Sequence, residues 1–266
     1  MLVGDAGALM YASDLPGLDI IGLGGYHDLP FARAAVHGLG ATLELIERMP
    51  RGDRPDMMAI YPSWWGDLPT LFGHRVDQVR VFGNVICGGD EKLIYQADWG
   101  PLDRSGKPRV LRPGERVVDE LDVADLVSEG EHRYAFPHPA MGFVELRVLG
   151  DVIQSRHDLF DAGRSIPAGA TETARVRTPR GAGGRLVVRT SVGHPVRVEV
   201  RVDGRLVGEI AAAPAKGWIE PAIDLPAGLP AEAELALTPV GEEWLDCHVW
   251  VLEGAPEAAD AAPPIR

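Results

Sequence analysis

The sequence predicts an α+β protein. A small α/β crossover domain occupies residues 1–105, an antiparallel β-sandwich of jelly-roll type follows at 106–254, and a disordered tail closes the chain at 255–266. Three observations predict this. The first hundred residues hold short apolar runs separated by helical stretches, the pattern of a parallel crossover whose strands are covered on both faces. Beyond a polar linker at residues 99–108 the chain reads as almost wholly β, with strands at regular spacing and no helices. The 32 Gly and 22 Pro among 266 residues supply the turns that so many short strands require.

The elements follow in order. Leu2-Val3-Gly4 is the end of a short apolar strand, and residues 5–11 turn into a helix. Residues 18–23 (Leu-Asp-Ile-Ile-Gly-Leu) form a second apolar run of strand length, closed by Gly24-Gly25. Asp28-Leu29-Pro30 is a cap and first turn. Across residues 41–49, Leu43, Ile46 and Met49 recur three apart with Glu44, Glu47 and Arg48 elsewhere, which predicts an amphipathic helix ended by Pro50 and Gly52. Residues 56–61 are a third strand, stopped at Pro62. Residues 76–86 and 92–97 form an antiparallel pair. Further strands are expected at 116–123, 143–149, 174–178, 185–190, 235–238 and 247–252. The clearest local signal is Val196–Val202, strictly alternating, then Asp203-Gly204, then 205–210. Asp-Gly at a two-residue connection supplies the positive φ angles of a type I′ hairpin turn.

Composition excludes several partners. With 39 Asp+Glu against 26 Lys+Arg the formal net charge is −13, whereas nucleic-acid binding needs clustered cations to displace counterions. Adsorption to an anionic membrane surface is disfavoured for the same reason. No stretch approaches the ~18 consecutive apolar residues of a membrane span. The first residues lack the basic and apolar regions of a secretion signal. Cys87 and Cys247 permit one disulfide or two buried thiols, and neither lies in a CxxC pair; the reading favours two thiols.

Motifs for common chemistries are missing: there is no P-loop, no G-x-S-x-G, no HExxH and no EF-hand loop. Gly22-Leu23-Gly24-Gly25-Tyr26-His27 starts like a dinucleotide fingerprint, but His27 stands where the third glycine belongs. His132, His138 and His157 with Glu129, Glu131 and Asp158 match no metal-ligand spacing, so neither a metal nor a cofactor is expected. Asp5, Asp19 and Asp28 gather near the predicted crossover. Carboxylates at strand ends accept sugar hydroxyls or act as general bases, and equally they cap helices and satisfy loop amides. Trp64-Trp65, directly after the third strand, is the most unusual local feature: one indole can plug the core while the other stacks on a sugar ring or a partner. Trp218, Trp244 and Trp250 lie on or beside strands and read as core.

The run Gly4-Asp5-Ala6-Gly7-Ala8-Leu9-Met10-Tyr11, followed by Leu18-Asp19-Ile20-Ile21-Gly22-Leu23, resembles a recurrent segment of bacterial membrane glycosyltransferases of the GT-C type, which use polyprenyl-phosphate sugars. There, "D-A-G-x-x-x-Y" and "x-D-x-x-G-L-x-D" open a soluble extracytoplasmic α/β domain beyond the last membrane helices. Here Gly24-Gly25-Tyr26-His27 intervene before Asp28. Arg54-Pro55-Asp56 to Tyr61-Pro62 resembles the strand that follows in that family, so the likeness spans residues 3–100. More weakly, residues 122–134 and Asp161-Ala162-Gly163-Arg164 resemble the β-domain appended to some of these enzymes. The resemblance implies a soluble accessory part of such a transferase, acting on cell-envelope glycans without the membrane-embedded catalytic portion. Asp5 and Asp19 match soluble-domain positions rather than the family's catalytic base. The implied partners are a glycan or lipid-linked sugar and the transferase's membrane portion. The expected location is the extracytoplasmic face as part of a membrane protein, or otherwise the cytoplasm.

The ligand-binding candidates are therefore Asp5, Asp19, His27, Asp28, Trp64, Trp65, Glu129 and His132. Two other functions compete: a free-standing carbohydrate-binding β-sandwich module, and a soluble hydrolase pairing Glu129 with Asp158 or Asp161, since glycoside hydrolysis needs two carboxylates at a set separation.

Overall fold

A computed structural model describes residues 1–4, 7–22, 28–65, 68–83, 85, 88–104, 106–136, 145–149, 159–180, 183–215 and 217–254. Asp5, His27, Cys87, His138, His157, Asp158 and the tail from 255 lie outside the described residues. The chain runs β1 (Leu2–Val3), α1 (Ala8–Ser13), β2 (Leu18–Asp19), α2 (Phe31–His37), α3 (Leu39–Arg48) and β3 (Met57–Ile60). It continues through α4 (Pro62–Trp65), α5 (Leu68–Leu71), β4 (Gly73–Arg80), β5 (Glu91–Ala97), β6 (Arg116–Asp122) and α6 (Leu126–Glu131). Next come β7 (Glu145–Leu149), β8 (Leu159–Ile166), β9 (Glu172–Arg177), β10 (Gly184–Arg189), β11 (Val196–Val202) and β12 (Arg205–Ala212). Last are β13 (Ala222–Leu225), β14 (Glu232–Val240), β15 (Trp244–Asp246) and β16 (His248–Glu253). No helix among the described residues is long and apolar enough to cross a membrane.

The chain divides into two compact units. The first takes Met1–Lys107, Val123–Gly130 and the described part of His138–Ser165; the second takes Pro108–Asp122, Glu131–Pro137 and Ile166 onward. The α+β class holds, but the sequence-based assignment of all of 106–254 to the sandwich does not: α6 and the β7–β8 hairpin contribute to the first unit. Their long apolar side chains explain this, because Leu126 and Phe160 join the same buried cluster as Leu2, Ile46, Met58 and Phe72.

In the first unit a five-stranded sheet has the order β2-β1-β3-β5-β4. β1 pairs in parallel with both β2 and β3 (Val3 opposite Asp19 and Ala59), while β5 is antiparallel to β3 and to β4. The parallel crossover read from the sequence is thus present. The apolar run at 18–23 yields only two strand residues, because Asp19 converts it into a turn. Its Oδ1 accepts the Ile21 N–H (3.0 Å) and its carbonyl accepts that of Gly22 (2.9 Å). Gly22 sits at φ +80°, with Ala32 N 2.0 Å from where a Cβ would stand, so only glycine fits. Helix α3 is more deeply buried than an amphipathic pattern implies: Gly40 through Ile46 are all buried, Glu44 included. Glu44 Oε1 accepts the Ala162 N–H of β8 (2.8 Å), which satisfies an otherwise costly buried carboxylate oxygen.

Helix α6 departs from the helix-free expectation. Asp125 starts it, with Oδ1 accepting the Val127 N–H (2.9 Å), and Glu129 reaches back to the Ala124 N–H (3.0 Å), a reciprocal arrangement like a capping box.

The second unit is a sandwich of two four-stranded sheets, β13-β10-β16-β6 and β12-β11-β14-β9. All the strand pairs within each sheet are antiparallel. Alternation decides which face is buried: in β11 Val196, Val198, Val200 and Val202 point inward, while Arg197 is exposed. The β11–β12 turn has φ +46° at Asp203 and +77° at Gly204, the I′ geometry expected from Asp-Gly. Trp244 and Trp250 are fully buried, as is Cys247.

Candidate functional site

The second unit carries a polar cleft of about 570 Å³ where β6 and β9, edge strands of the two sheets, run side by side. Asp119 of β6 is its fixed point, with only 4% of its surface exposed. Its Oδ2 accepts the Arg177 backbone N–H (2.6 Å) and its Oδ1 accepts Arg177 Nε–H (2.8 Å). His132 Nε2 lies 3.5 Å from Oδ2. Burial by itself would raise the Asp119 carboxyl, but bonds from His132 and from the Arg177 amide and guanidinium outweigh it and hold the group below the usual carboxylate range.

The segment carrying His132 is sewn to β9. Arg175 N–H donates to the His132 carbonyl (2.7 Å), and Ala135 and Thr173 exchange backbone bonds of 2.9 and 2.7 Å. Tyr134 OH donates to Glu172 Oε2 (2.6 Å). The cleft is completed by Arg133, held at φ +50°, and by Arg175, Arg177 and Glu232. Alternation along β9 buries Glu172, Ala174 and Val176 and turns Arg175 and Arg177 outward. A carboxylate engaged by arginine on both oxygens is a poor proton shuttle. This array of fixed donors and acceptors suits binding rather than bond cleavage.

The first unit offers a different surface. Its three parallel strands end at one edge, the position where open α/β sheets place ligand crevices. An apolar groove of about 300 Å³ opens there, lined by Ile20, Ile21, Leu39, Thr42 and Trp64. Trp64 is 45% exposed. Its ring sits 5.2 Å from that of Tyr61, at 56°. The Gly88 backbone presses so close to it that a Cβ would stand 2.3 Å from Cζ2. Lys92 Nζ lies 4.4 Å from the centre of the Tyr61 ring.

The structure separates the sequence candidates. Asp19 and Trp64 belong to this strand-end region, although Asp19 is buried and committed to its turn. Asp28 is exposed. Trp65 belongs to α4, with its side chain outside the described residues. Glu129 lies in the first unit, where Arg164 grips it with Nε and Nη2 at 2.5 and 2.7 Å and also contacts His37 Nδ1 (3.2 Å). Glu129 is thus held by a buried arginine, whereas His132 belongs to the second unit and faces Asp119. Asp119, Arg133, Arg175 and Arg177 did not emerge from the sequence. Outward-facing arginines on a strand were legible from alternation, but nothing local ties Asp119 to a partner 58 positions on.

No family model matches the sequence, and no curated protein matches it. Among solved structures, the chain is similar to a carbohydrate-binding module of Cellvibrio mixtus lichenase 5A in complex with cellotriose. The TM-score is 0.37 and the identity 11%, over 51% of this chain and 97% of that one. It is also similar to a family 35 carbohydrate-binding module from Clostridium thermocellum (0.36, 11%, 50% and 95%) and to CsCBM6-3 from Clostridium stercorarium with cellobiose (0.34, 14%, 50% and 92%). Scores of this size do not establish a shared fold, so the sandwich assignment stands on the strand pairing above.

Proposed function

We propose that the protein is a carbohydrate-binding protein whose β-sandwich unit holds a glycan in the Asp119 cleft. The observation that supports this is a rigid polar cleft in which acceptors and donors stand side by side. Asp119 is ionised and buried, His132 and Arg175 are pinned by backbone bonds, and Glu232 faces them from β14. A sugar presents vicinal hydroxyls, each both donor and acceptor, and mixed lining of this sort satisfies them. Modules with bound cellotriose and cellobiose stand among the similar structures named above, which is compatible with the reading without carrying it. A glycan array probed with the intact chain, followed by titration calorimetry of any hit, tests the proposal. Asp119→Asn should weaken binding at least about tenfold, since the charge that orients Arg177 is lost. An array with no hits, or a hit indifferent to Asp119→Asn and to His132→Ala, would overturn it.

A second reading is favoured by Asp19 and Trp64 standing at the strand-end region. In it, the chain is the extracytoplasmic soluble part of a polyprenyl-phosphate-sugar transferase, with acceptor glycan stacked on Trp64. Adding the purified chain to membranes that contain such a transferase would then stimulate sugar transfer, and the Trp64→Ala variant would not. Equal stimulation by both proteins, or none by either, would count against it.

A further inference from the structure

We infer that the sandwich cleft is selective for acidic sugars, binding a uronate residue through its carboxylate at Arg133 and Arg175; this rests on the carbohydrate-binding reading above. The acid at the heart of the cleft is already neutralised in place, because Asp119 takes two nitrogens of Arg177 and faces His132. Arg133 and Arg175 differ. Both line the cleft, and neither guanidinium has an ion-pair partner among the described residues. Their backbones are locked together, because Arg175 N–H bonds the carbonyl of His132, the residue directly before Arg133. Two guanidiniums of fixed origin beside a buried, satisfied acid form a local positive site within a chain of net charge −13.

Screening lets the local site prevail over the net charge, since at physiological ionic strength charges beyond about 8 Å are largely screened. Planar guanidinium groups recognise a planar carboxylate bidentately, which a hydroxyl cannot match. Glu232 and Asp119 remain to accept the ring hydroxyls. Glu232 also limits the charge tolerated: one carboxylate fits against Arg133 and Arg175, and a second placed near Glu232 would be repelled.

The test uses trisaccharides of galacturonate, glucuronate and mannuronate, each beside its methyl ester, which keeps the skeleton and removes the charge. Calorimetry on the intact chain should show at least one acid bound about tenfold or more tighter than its ester. Arg175→Gln and Arg133→Asn should each abolish that preference while leaving ester affinity within about twofold. Asparagine is chosen at 133 because it tolerates positive φ, and far-ultraviolet circular dichroism confirms that each variant is folded. Equal binding of acid and ester, or variants that weaken both alike, would overturn the inference and leave the carbohydrate reading intact. No binding of any acid, with neutral hits on the array, would have the same consequence. No binding of any sugar would overturn both.

Discussion

Arg189 shows how much a single buried charge can organise. It is fully buried, donates from Nε and Nη2 to Glu220 Oε1 (3.1 and 2.9 Å), and lies between the Trp218 and Trp250 rings at 4.5 and 4.7 Å. His248 stacks on the far partner, its ring 4.8 Å from that of Trp250 at 18°, and Arg109 covers Trp218 from 3.7 Å. The result is a ladder of cations and aromatics through the second unit. Replacing Arg189 by Ala leaves Glu220 buried and uncompensated and opens a void between two indoles. The expected loss is about 3–5 kcal/mol, the range for breaking a buried pair by removing one partner. Arg189→Lys should recover only part of it, because an ammonium cannot lie flat between two rings while forking to a carboxylate. Urea unfolding followed by tryptophan fluorescence measures both; a loss under 1 kcal/mol for the alanine variant would contradict the account. Trp218, read from the sequence as core, is only partly buried, and its exposed side is covered by arginine rather than apolar packing.

At the scale of elements, the β11–β12 hairpin and the β6–β9 edge mark two extremes of legibility. The hairpin was readable because its information is local: strict alternation sets the faces, and Asp203-Gly204 meets the backbone demand of the turn. Gly204 at φ +77° has open space around it, so Gly204→Ala tests backbone strain alone. It should cost about 1–2 kcal/mol, as expected for an L-residue forced left-handed, and thermal unfolding would show it; an unchanged midpoint would mean the turn relaxes to another type. The cleft was not readable for the opposite reason. Its pairs join positions far apart in sequence, and β-sheet contacts of that kind leave no periodic trace. His132 was singled out as a candidate, but its grouping with Glu129 followed nearness in sequence. The chain passes from one unit to the other between Gly130 and Glu131, so three residues of separation put the two side chains among different neighbours. Helix α6 was missed for a related reason, since six residues capped by Asp125 and Glu129 are too short to register a period of 3.6.

For the molecule as a whole, acid stability separates specific contacts from net charge. At neutral pH the formal charge of −13 makes the folded chain repel itself. Lowering the pH toward 5 reduces that charge, so stability should hold or rise slightly between pH 7 and 5. Two carboxyls in the sandwich then reverse the trend. Glu115 is held low first by the Arg185 guanidinium, which meets it at 2.7 and 2.6 Å, with burial opposing and the Arg112 amide assisting. Asp119 is held low against its own burial by His132 and Arg177. Both groups therefore bind protons more weakly folded than unfolded. The stability they contribute is fully present above their ordinary values of 4.5 and 3.8, and it drains away as the pH falls through the lower folded values. Urea midpoints should accordingly be level or rising from pH 7 to 5 and fall steeply below about pH 4.5. Asp119→Asn and Glu115→Gln should each lower the midpoint at pH 7 and make the acid limb shallower, because the variant has already lost the contribution that protonation removes. A chain governed by net charge alone would behave otherwise: its midpoint would keep rising toward the pH of zero charge, and neither substitution would change the slope below it.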